Sequence, residues 1–183
     1  MRHRPADSRL GSLTPVHPSV RLREYTPADL PAVLALNSAS VPAVNELDAA
    51  EVARLAGLAE SALVAEVDGE FAAFCWVIGP DQPYASLNYV WFSERYDRFV
   101  YLDRIAVSPA FRRLGIGRGL YAALVSRFAG VVPVLLCEVN VRPLNEASLR
   151  LHESLGFREV GQQDTDGGTK TVSLLELALP LSP

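Results

Sequence analysis

The amino-acid sequence predicts a single α/β (α+β) domain, with about four helices packed on a mixed, mostly antiparallel sheet of about seven strands. Three observations carry this expectation. Apolar residues switch between the two-residue period of strands and the 3.6-residue period of helices in the order β-α-α-β-β-β-α-β-α-β-β. A two-residue link, Asp68-Gly69, joins two β runs and pins an antiparallel pair. No internal repeat and no domain linker interrupts the chain after residue 20, so 183 residues suit one core of ordinary size.

The elements follow in order. Val20-Arg21-Leu22-Arg23-Glu24 alternates apolar and polar residues as a short strand does. Thr26-Pro27-Ala28-Asp29 opens a helix, with Thr26 as N-cap, Pro27 in the first turn and Asp29 at the capping-box position. A second helix, roughly Ala49 to Ala59, follows a loop that contains Asn45 and Glu46. The hairpin spans Ala62–Val67 and Glu70–Ile78. A long irregular stretch, Gly79–Arg98, leads into a strand, Phe99–Val107. Then come a Gly-rich turn, a helix over Ile116–Phe128 and a strand over Val132–Val139. A helix from about Asn145 to Leu155 stops at Gly156, and strands near Arg158–Gln163 and Lys170–Leu179 flank Asp166-Gly167-Gly168. Residues 1–19 carry Pro, Ser and Gly without periodicity and read as a disordered extension, leaving 20–180 as the folded domain.

Composition narrows the function classes. A formal charge of −4 argues against broad nucleic-acid binding, which needs a basic face. No apolar run approaches the ~18 residues that span a bilayer, and no signal-peptide core follows the basic start. A cytoplasmic protein is therefore expected. Cys75 and Cys137 lie in apolar strand-like runs and read as buried free thiols. His3, His17 and His152 are scattered, so no metal-ligand spacing exists.

The chemistry concentrates where the fourth strand ends. Pro109 stops the ladder after Ile105-Ala106-Val107, and Arg112-Arg113-Leu114-Gly115-Ile116-Gly117-Arg118 opens a helix. Glycine lets backbone N–H groups approach a ligand closely, the helix start adds partial positive charge, and the arginines add full charges. Such a turn suits a diphosphate. It is not a Walker A loop, which needs Gly-x-x-x-x-Gly-Lys-Ser/Thr, nor a Gly-x-Gly-x-x-Gly turn after the first strand of a βαβ unit.

The segment resembles motif A of the GNAT acetyltransferase superfamily, Arg/Gln-x-x-Gly-x-Gly/Ala, with Ile105-Ala106-Val107 the expected distance upstream. Glu138-Val139-Asn140 and the run from Asn145 to Gly156-Phe157 resemble motif B, in which an Asn opens a helix that closes on Gly-Phe. The resemblance covers about Val20 to Leu179. It implies a GNAT-type acyl-CoA N-acyltransferase fold with splayed central strands, and acetyl-CoA (coenzyme A) as co-substrate. The backbone of Ile105, Ala106 and Val107 would then receive the pantetheine arm and acetyl carbonyl. The turn Arg112, Arg113, Leu114, Gly115, Ile116, Gly117 and Arg118 would hold the pyrophosphate. Asn140 and Asn145 would fasten pantetheine amides, with Ser148 and Leu151 lining the same channel.

The implied reaction is N-acetylation of an amine through a tetrahedral oxyanion, which wants a fixed N–H donor such as that of Val107. A base takes the amine proton, and an acid serves the leaving thiolate. The superfamily commonly has Tyr four residues before Gly-Phe. This chain has His152, which is the first candidate for the acid and a further channel residue; a structural histidine is the alternative. Strand alternation puts Tyr101, Asp103, Ile105 and Val107 on one face. The resemblance implies Asp103 as the first candidate base, since some members of the superfamily carry a working carboxylate at that place, four residues before Val107; Glu138 is its competitor. Either carboxylate could instead pair with Arg104 or Arg142.

The acceptor side is less constrained. The stretch Tyr84–Tyr101 holds seven of the chain's fifteen aromatics, and Tyr89, Trp91, Tyr96 and Tyr101 suggest a lid with an apolar wall, although some rings must pack on the sheet. Asn45 and Glu46 resemble the acceptor-facing loop of the superfamily, and Glu46 could hold an ammonium group. A small primary amine with an apolar portion is the expected acceptor. A catalytically silent CoA-binding module and a protein N-terminal or lysine acetyltransferase are the alternatives. Either a monomer or a homodimer is compatible with the sequence.

Overall fold

Asp68 and Gly69 both take positive φ, 51° and 88°, the geometry that lets one strand turn directly into the next. In the computed structural model, which describes residues 18–180, β1 (Val20–Glu24), β2 (Ala59–Val67) and β3 (Glu70–Ile78) form an antiparallel edge. β4 (Val100–Val107), β5 (Val134–Arg142), β6 (Arg158–Thr165) and β7 (Lys170–Ala178) complete one seven-stranded sheet of order β1-β2-β3-β4-β5-β7-β6. The expected extension over residues 1–19 lies outside the described residues up to residue 17. Ser19 is tied to the hairpin, its N–H donating to Asp68 at 2.9 Å.

Five α-helices occur among the described residues: α1 (Leu30–Ser38), α2 (Ala49–Leu58), α3 (Leu87–Ser93), α4 (Ile116–Phe128) and α5 (Glu146–Leu155). Thr26 starts the first as expected, its N–H and hydroxyl donating to Asp29 at 2.8 and 3.0 Å after a single 3₁₀ turn. α3 corrects the expectation of four helices, since it sits inside the stretch read as irregular. It has only two turns and is rich in strand-favouring aromatics; burial of Tyr89 and Phe92 holds it in place.

The two faces of the sheet carry separate cores. α4 and α5 cover one, with Leu120, Tyr121 and Leu124 against Cys75, Leu102 and Cys137. α1, α2 and α3 cover the other, with Val33, Val52 and Phe92 against Trp76, Tyr101 and Leu136. Much of the aromatic insertion is therefore core rather than lid. Tyr89 pairs with Phe99 and Tyr101, and its hydroxyl donates to the Gly79 carbonyl at 2.8 Å.

Trp91 lies across β6, where a Cβ placed on Gly161 would stand 2.8 Å from its ring, while Arg95 stacks on the indole at 3.9 Å. Gly161→Ala must displace that ring and is expected to cost about 1–3 kcal/mol. Chemical denaturation checks this, and an unchanged midpoint would mean that the indole moves aside freely.

Two irregularities position the functional region. β4 pairs with β5 in parallel only at Val100↔Leu135 and Tyr101↔Leu136, after which the strands diverge, so the expected splay is present. The β3–β4 register also slips, with Val77 opposite Leu102 and Trp76 opposite Arg104, leaving Asp103 as the extra residue of a bulge. This corrects the alternation read from the sequence. Leu102, Ile105 and Val107 belong to the α4 face, whereas Tyr101, Arg104 and Ala106 belong to the α1 face.

Candidate active site

Beyond the last paired rung, β4 and β5 present unpaired inner edges to each other, and a cleft of about 300 Å³ occupies the gap. Its lining comes from both faces of the sheet. Ile105, Tyr121, Cys137, Ser148 and His152 line the α4/α5 side, and Tyr84, Asn88, Asp103 and Glu138 line the other. The cleft thus connects two chemically different halves through the sheet.

On the half that faces α1 and α3, Asp103 and Glu138 would be register partners had the parallel pairing continued. Both are anchored. Tyr84 donates its hydroxyl to Asp103, and Arg104 donates to the other oxygen at 3.1 Å. Tyr101, fully buried, donates to Glu138 at 2.8 Å. Burial first, and then the negative charge of Asp103, push the Glu138 carboxyl from 4.5 up to about 8. A carboxyl raised in this way suits a base working near neutral pH, and Asp103, the base expected first, stands beside it in the same cleft.

Arg104 builds the wall behind this pair. Its guanidinium donates to Asn37 on α1 at 2.6 Å and to the Asn45 carbonyl at 3.1 Å. Asn45 also accepts from Lys170 at 2.9 Å, joining the α1–α2 loop to the start of β7 beside the cleft. Glu46 lies outside the cleft and accepts from Ser38. Tyr89, Trp91 and Tyr96 also stand outside its lining; Tyr96 donates to Glu176 at 2.5 Å.

The expected phosphate turn, Arg112 to Arg118, stands outside the lining of the cleft and has a specific shape. Arg113 and Gly115 take φ of 66° and 76° before α4 begins. Among the described residues, the N–H groups of Arg113, Leu114, Gly115, Ile116 and Gly117 make no backbone hydrogen bond. A helix start with free, converging N–H groups is an anion cradle, and exposed Arg112 and Arg113 raise its potential. Arg118 is engaged elsewhere, donating to Ser154 on α5 at 2.6 Å. Leu151 packs near Gly117 and, like Ala106 and Val107, flanks rather than lines the cleft.

Asn140 and Asn145 both line the cleft and both have partners within the protein. The Asn140 amide donates to the Pro42 carbonyl at 3.3 Å, while Asn145 caps α5 by accepting the Ser148 N–H at 3.2 Å. His152 is buried, and both its ring nitrogens are committed. Nδ1 lies 2.7 Å from the Ser148 carbonyl, which can only accept, so the ring proton sits there. Nε2 lies 2.5 Å from the Tyr121 hydroxyl and accepts from it. Burial lowers the affinity of the ring for a second proton.

Tyr84, Asn88, Tyr121 and Lys170 are among the cleft residues that sequence reasoning passed over. Tyr84 was visible only as one aromatic among seven, and Tyr121 as a residue on the apolar side of a helix. Among the described residues no cluster of three His, Cys, Asp or Glu could hold a metal ion, and no helix is long and apolar enough to cross a membrane.

Residues 33–157 match the family model described as Acetyltransferase (GNAT) family. A 60-residue stretch is 45% identical to the [ribosomal protein bS18]-alanine N-acetyltransferase of Salmonella typhimurium, covering 32% of this chain and only 38% of that protein. The crystal structure of the ribosomal-protein-S18-alanine N-acetyltransferase from Escherichia coli superposes with a TM-score of 0.69 at 23% identity, covering 90% of this chain and 97% of that one. YncA, a putative acetyltransferase from Salmonella typhimurium with its cofactor acetyl-CoA, gives 0.67 at 22% identity over 90% of this chain and 96% of its own. At these identities the two structures share the fold with this chain.

Proposed function

The chain belongs to the acetyltransferase (GNAT) family, whose acyl donor is acetyl-CoA, and on that footing we propose that it acetylates the primary amine of a small molecule. Acetyl-CoA, when bound, supplies a thioester carbonyl open to direct attack by the amine. The rest of the reading concerns what the chain's own groups do.

The N–H groups from Arg113 to Gly117 fit a diphosphate, because the left-handed turn at Gly115 leaves them without backbone partners. The unpaired edges of β4 and β5 offer backbone donors and acceptors to the amides of a pantetheine arm. Glu138 takes the amine proton, and Asp103 beside it favours an ammonium in the acceptor half. Asn45 and Lys170 bound that half, supporting a compact acceptor with room for a small apolar part against Val44 and Leu87. The observation that carries the proposal is the position of the Glu138 carboxyl, anchored by Tyr101 at 2.8 Å beside Asp103 at the opening between the diverged strands.

A second reading, acetylation of a protein N-terminal amine, draws on the partial likeness to the ribosomal-protein alanine acetyltransferase. One screen separates the readings: release of free thiol from acetyl-CoA against a panel of small amines and a panel of short peptides. Turnover of apolar-substituted small amines is the expected result. Turnover confined to peptides would support the second reading, and acetyl-CoA binding without thiol release from any acceptor would leave a binding module.

A further inference from the structure

The cleft half that faces α4 and α5 raises a question of proton supply, because His152 presents no N–H to the gap. Three other proton-bearing groups line that half. The Ser148 hydroxyl is too weak an acid to protonate a thiolate. Burial pushes the Cys137 thiol and the Tyr121 hydroxyl up alike, so the donor must be one whose proton is replaced at once, and the Cys137 thiol has no such group behind it. The Tyr121 hydroxyl is the third. It stands on α4, against the ring of α5 that occupies the superfamily's usual tyrosine position.

We infer that Tyr121 is the immediate proton donor to the leaving sulfur, and that His152 recharges it from behind. This rests on the acetyltransferase reading above. The pairing determines how the protons move. With Nδ1–H fixed on the Ser148 carbonyl, a second proton can enter the ring only at Nε2. The imidazolium then donates to the Tyr121 oxygen and frees the Tyr121 O–H to turn toward the gap. As the sulfur leaves, the Tyr121 O–H bond breaks and an S–H bond forms. At the same time the Nε2–H bond breaks and Tyr121 regains its proton. The end state is a neutral His152 with the Tyr121 hydroxyl pointing at Nε2, which is the arrangement the structure holds. His152 takes its next proton through Tyr121, whose O–H passes its proton to Nε2 while the Tyr121 oxygen regains one from water in the cleft.

The surroundings suit a relay that carries charge only briefly. Tyr121 and Phe157 meet the His152 ring edge to face at 5.2 and 5.0 Å, fixing its plane. Toward this pair face Cys137 and Glu138 from β5, Cys75 from β3 and Ser148 from α5 itself. Of these only Glu138 is a carboxyl group, and it belongs to the opposite half of the cleft. Tyr121 on α4 thus keeps its hydroxyl at the gap, while His152 on α5 stands behind it and supplies the proton.

Nitrogen-15 NMR of the ligand-free protein tests the pair without any turnover. His152 should be neutral with its proton on Nδ1, and Tyr121→Phe should shift the Nε2 resonance by removing its donor. A ring protonated on Nε2 in the neutral state would overturn the relay. Kinetics supply the second arm. Tyr121→Phe is expected to lower kcat by about 10²-fold while the KM for acetyl-CoA stays within about twofold. His152→Gln should cost a similar factor and the double variant little more. An active parent with a fully active Tyr121→Phe overturns the relay alone. A parent that releases no thiol with any acceptor overturns the acetyltransferase reading, and the relay with it.

Discussion

Replacing Glu138 with Gln is expected to lower kcat by about two to four orders of magnitude, with acetyl-CoA affinity close to the parent's. Gln keeps the size of the side chain and an oxygen for the Tyr101 hydroxyl, which donates to Glu138 at 2.8 Å. It removes only the ability to take a proton. Asp103→Asn should cost less, because Asp103 is held by Tyr84 and Arg104 while Glu138 carries the raised carboxyl. A Glu138→Gln variant within tenfold of the parent, or an Asp103→Asn loss larger than that of Glu138→Gln, would move the base elsewhere.

The pH dependence gives the same assignment a sign. Only the ionised carboxylate accepts a proton, and its folded pKa is about 8. The ratio of parent to variant rate cancels the titration of the acceptor and of any shared acid. It should rise about tenfold per pH unit up to about 8 and level off above. Stability moves the other way. Between about 4.5 and 8 the native state holds a proton that the unfolded chain has lost, so the parent loses stability as pH rises through that window. The slope is at most about 1.4 kcal/mol per unit. Glu138→Gln lacks this loss, so the variant's melting temperature should gain on the parent's between pH 5 and 9.

The sequence made legible those features whose causes are local. β3 and α4 start and stop where expected, because Asp68-Gly69, the Gly-rich turn and the apolar spacing all act within a few residues. Gly115 advertised a left-handed turn, while the same geometry at Arg113 had no residue-type signal. The bulge at Asp103 had none either. Nothing in Leu102-Asp103-Arg104 departs from a regular strand, and the slip appears only in the pairing with β3. That one residue re-aimed every side chain after it, which is why alternation grouped Tyr101 with Ile105 incorrectly. The aromatic insertion divides between core and cleft for a different reason, with Tyr89, Phe92 and Tyr101 buried in the core and Tyr84 on the cleft wall. Composition states that rings will be buried somewhere, but only tertiary packing decides whether they cover a ligand or fill a core. The contact between Tyr121 and His152 joins two helices 31 residues apart, a separation at which no spacing rule operates.

Arg104→Leu is the substitution expected to damage the folded state most, by about 3–5 kcal/mol. Arg104 is 8% exposed, and its guanidinium divides its donors among three segments: Asp103 in the bulge, Asn37 on α1 and the Asn45 carbonyl in the α1–α2 loop. Leucine fills much of the volume but leaves the Asp103 carboxylate buried beside Glu138 with no cation, and strips Asn37 of a donor. The cost of an orphaned buried charge exceeds the modest net worth of the intact pair, so the loss should reach roughly 10 °C in melting temperature. Adding Asp103→Asn removes the orphaned charge, and the double variant should be more stable than Arg104→Leu alone. Arg104→Lys should rescue little, since an ammonium cannot span the three acceptors that the planar fork reaches. A single-variant loss under about 1 kcal/mol would mean that water enters to solvate Asp103. The damage should extend to function, because the Asn45 carbonyl that Arg104 holds belongs to the same residue that meets Lys170 beside the acceptor half. Acceptor KM should therefore rise in Arg104→Leu even below its melting range, with acetyl-CoA affinity nearly constant. That split separates a residue that shapes the acceptor wall from one that merely holds the fold.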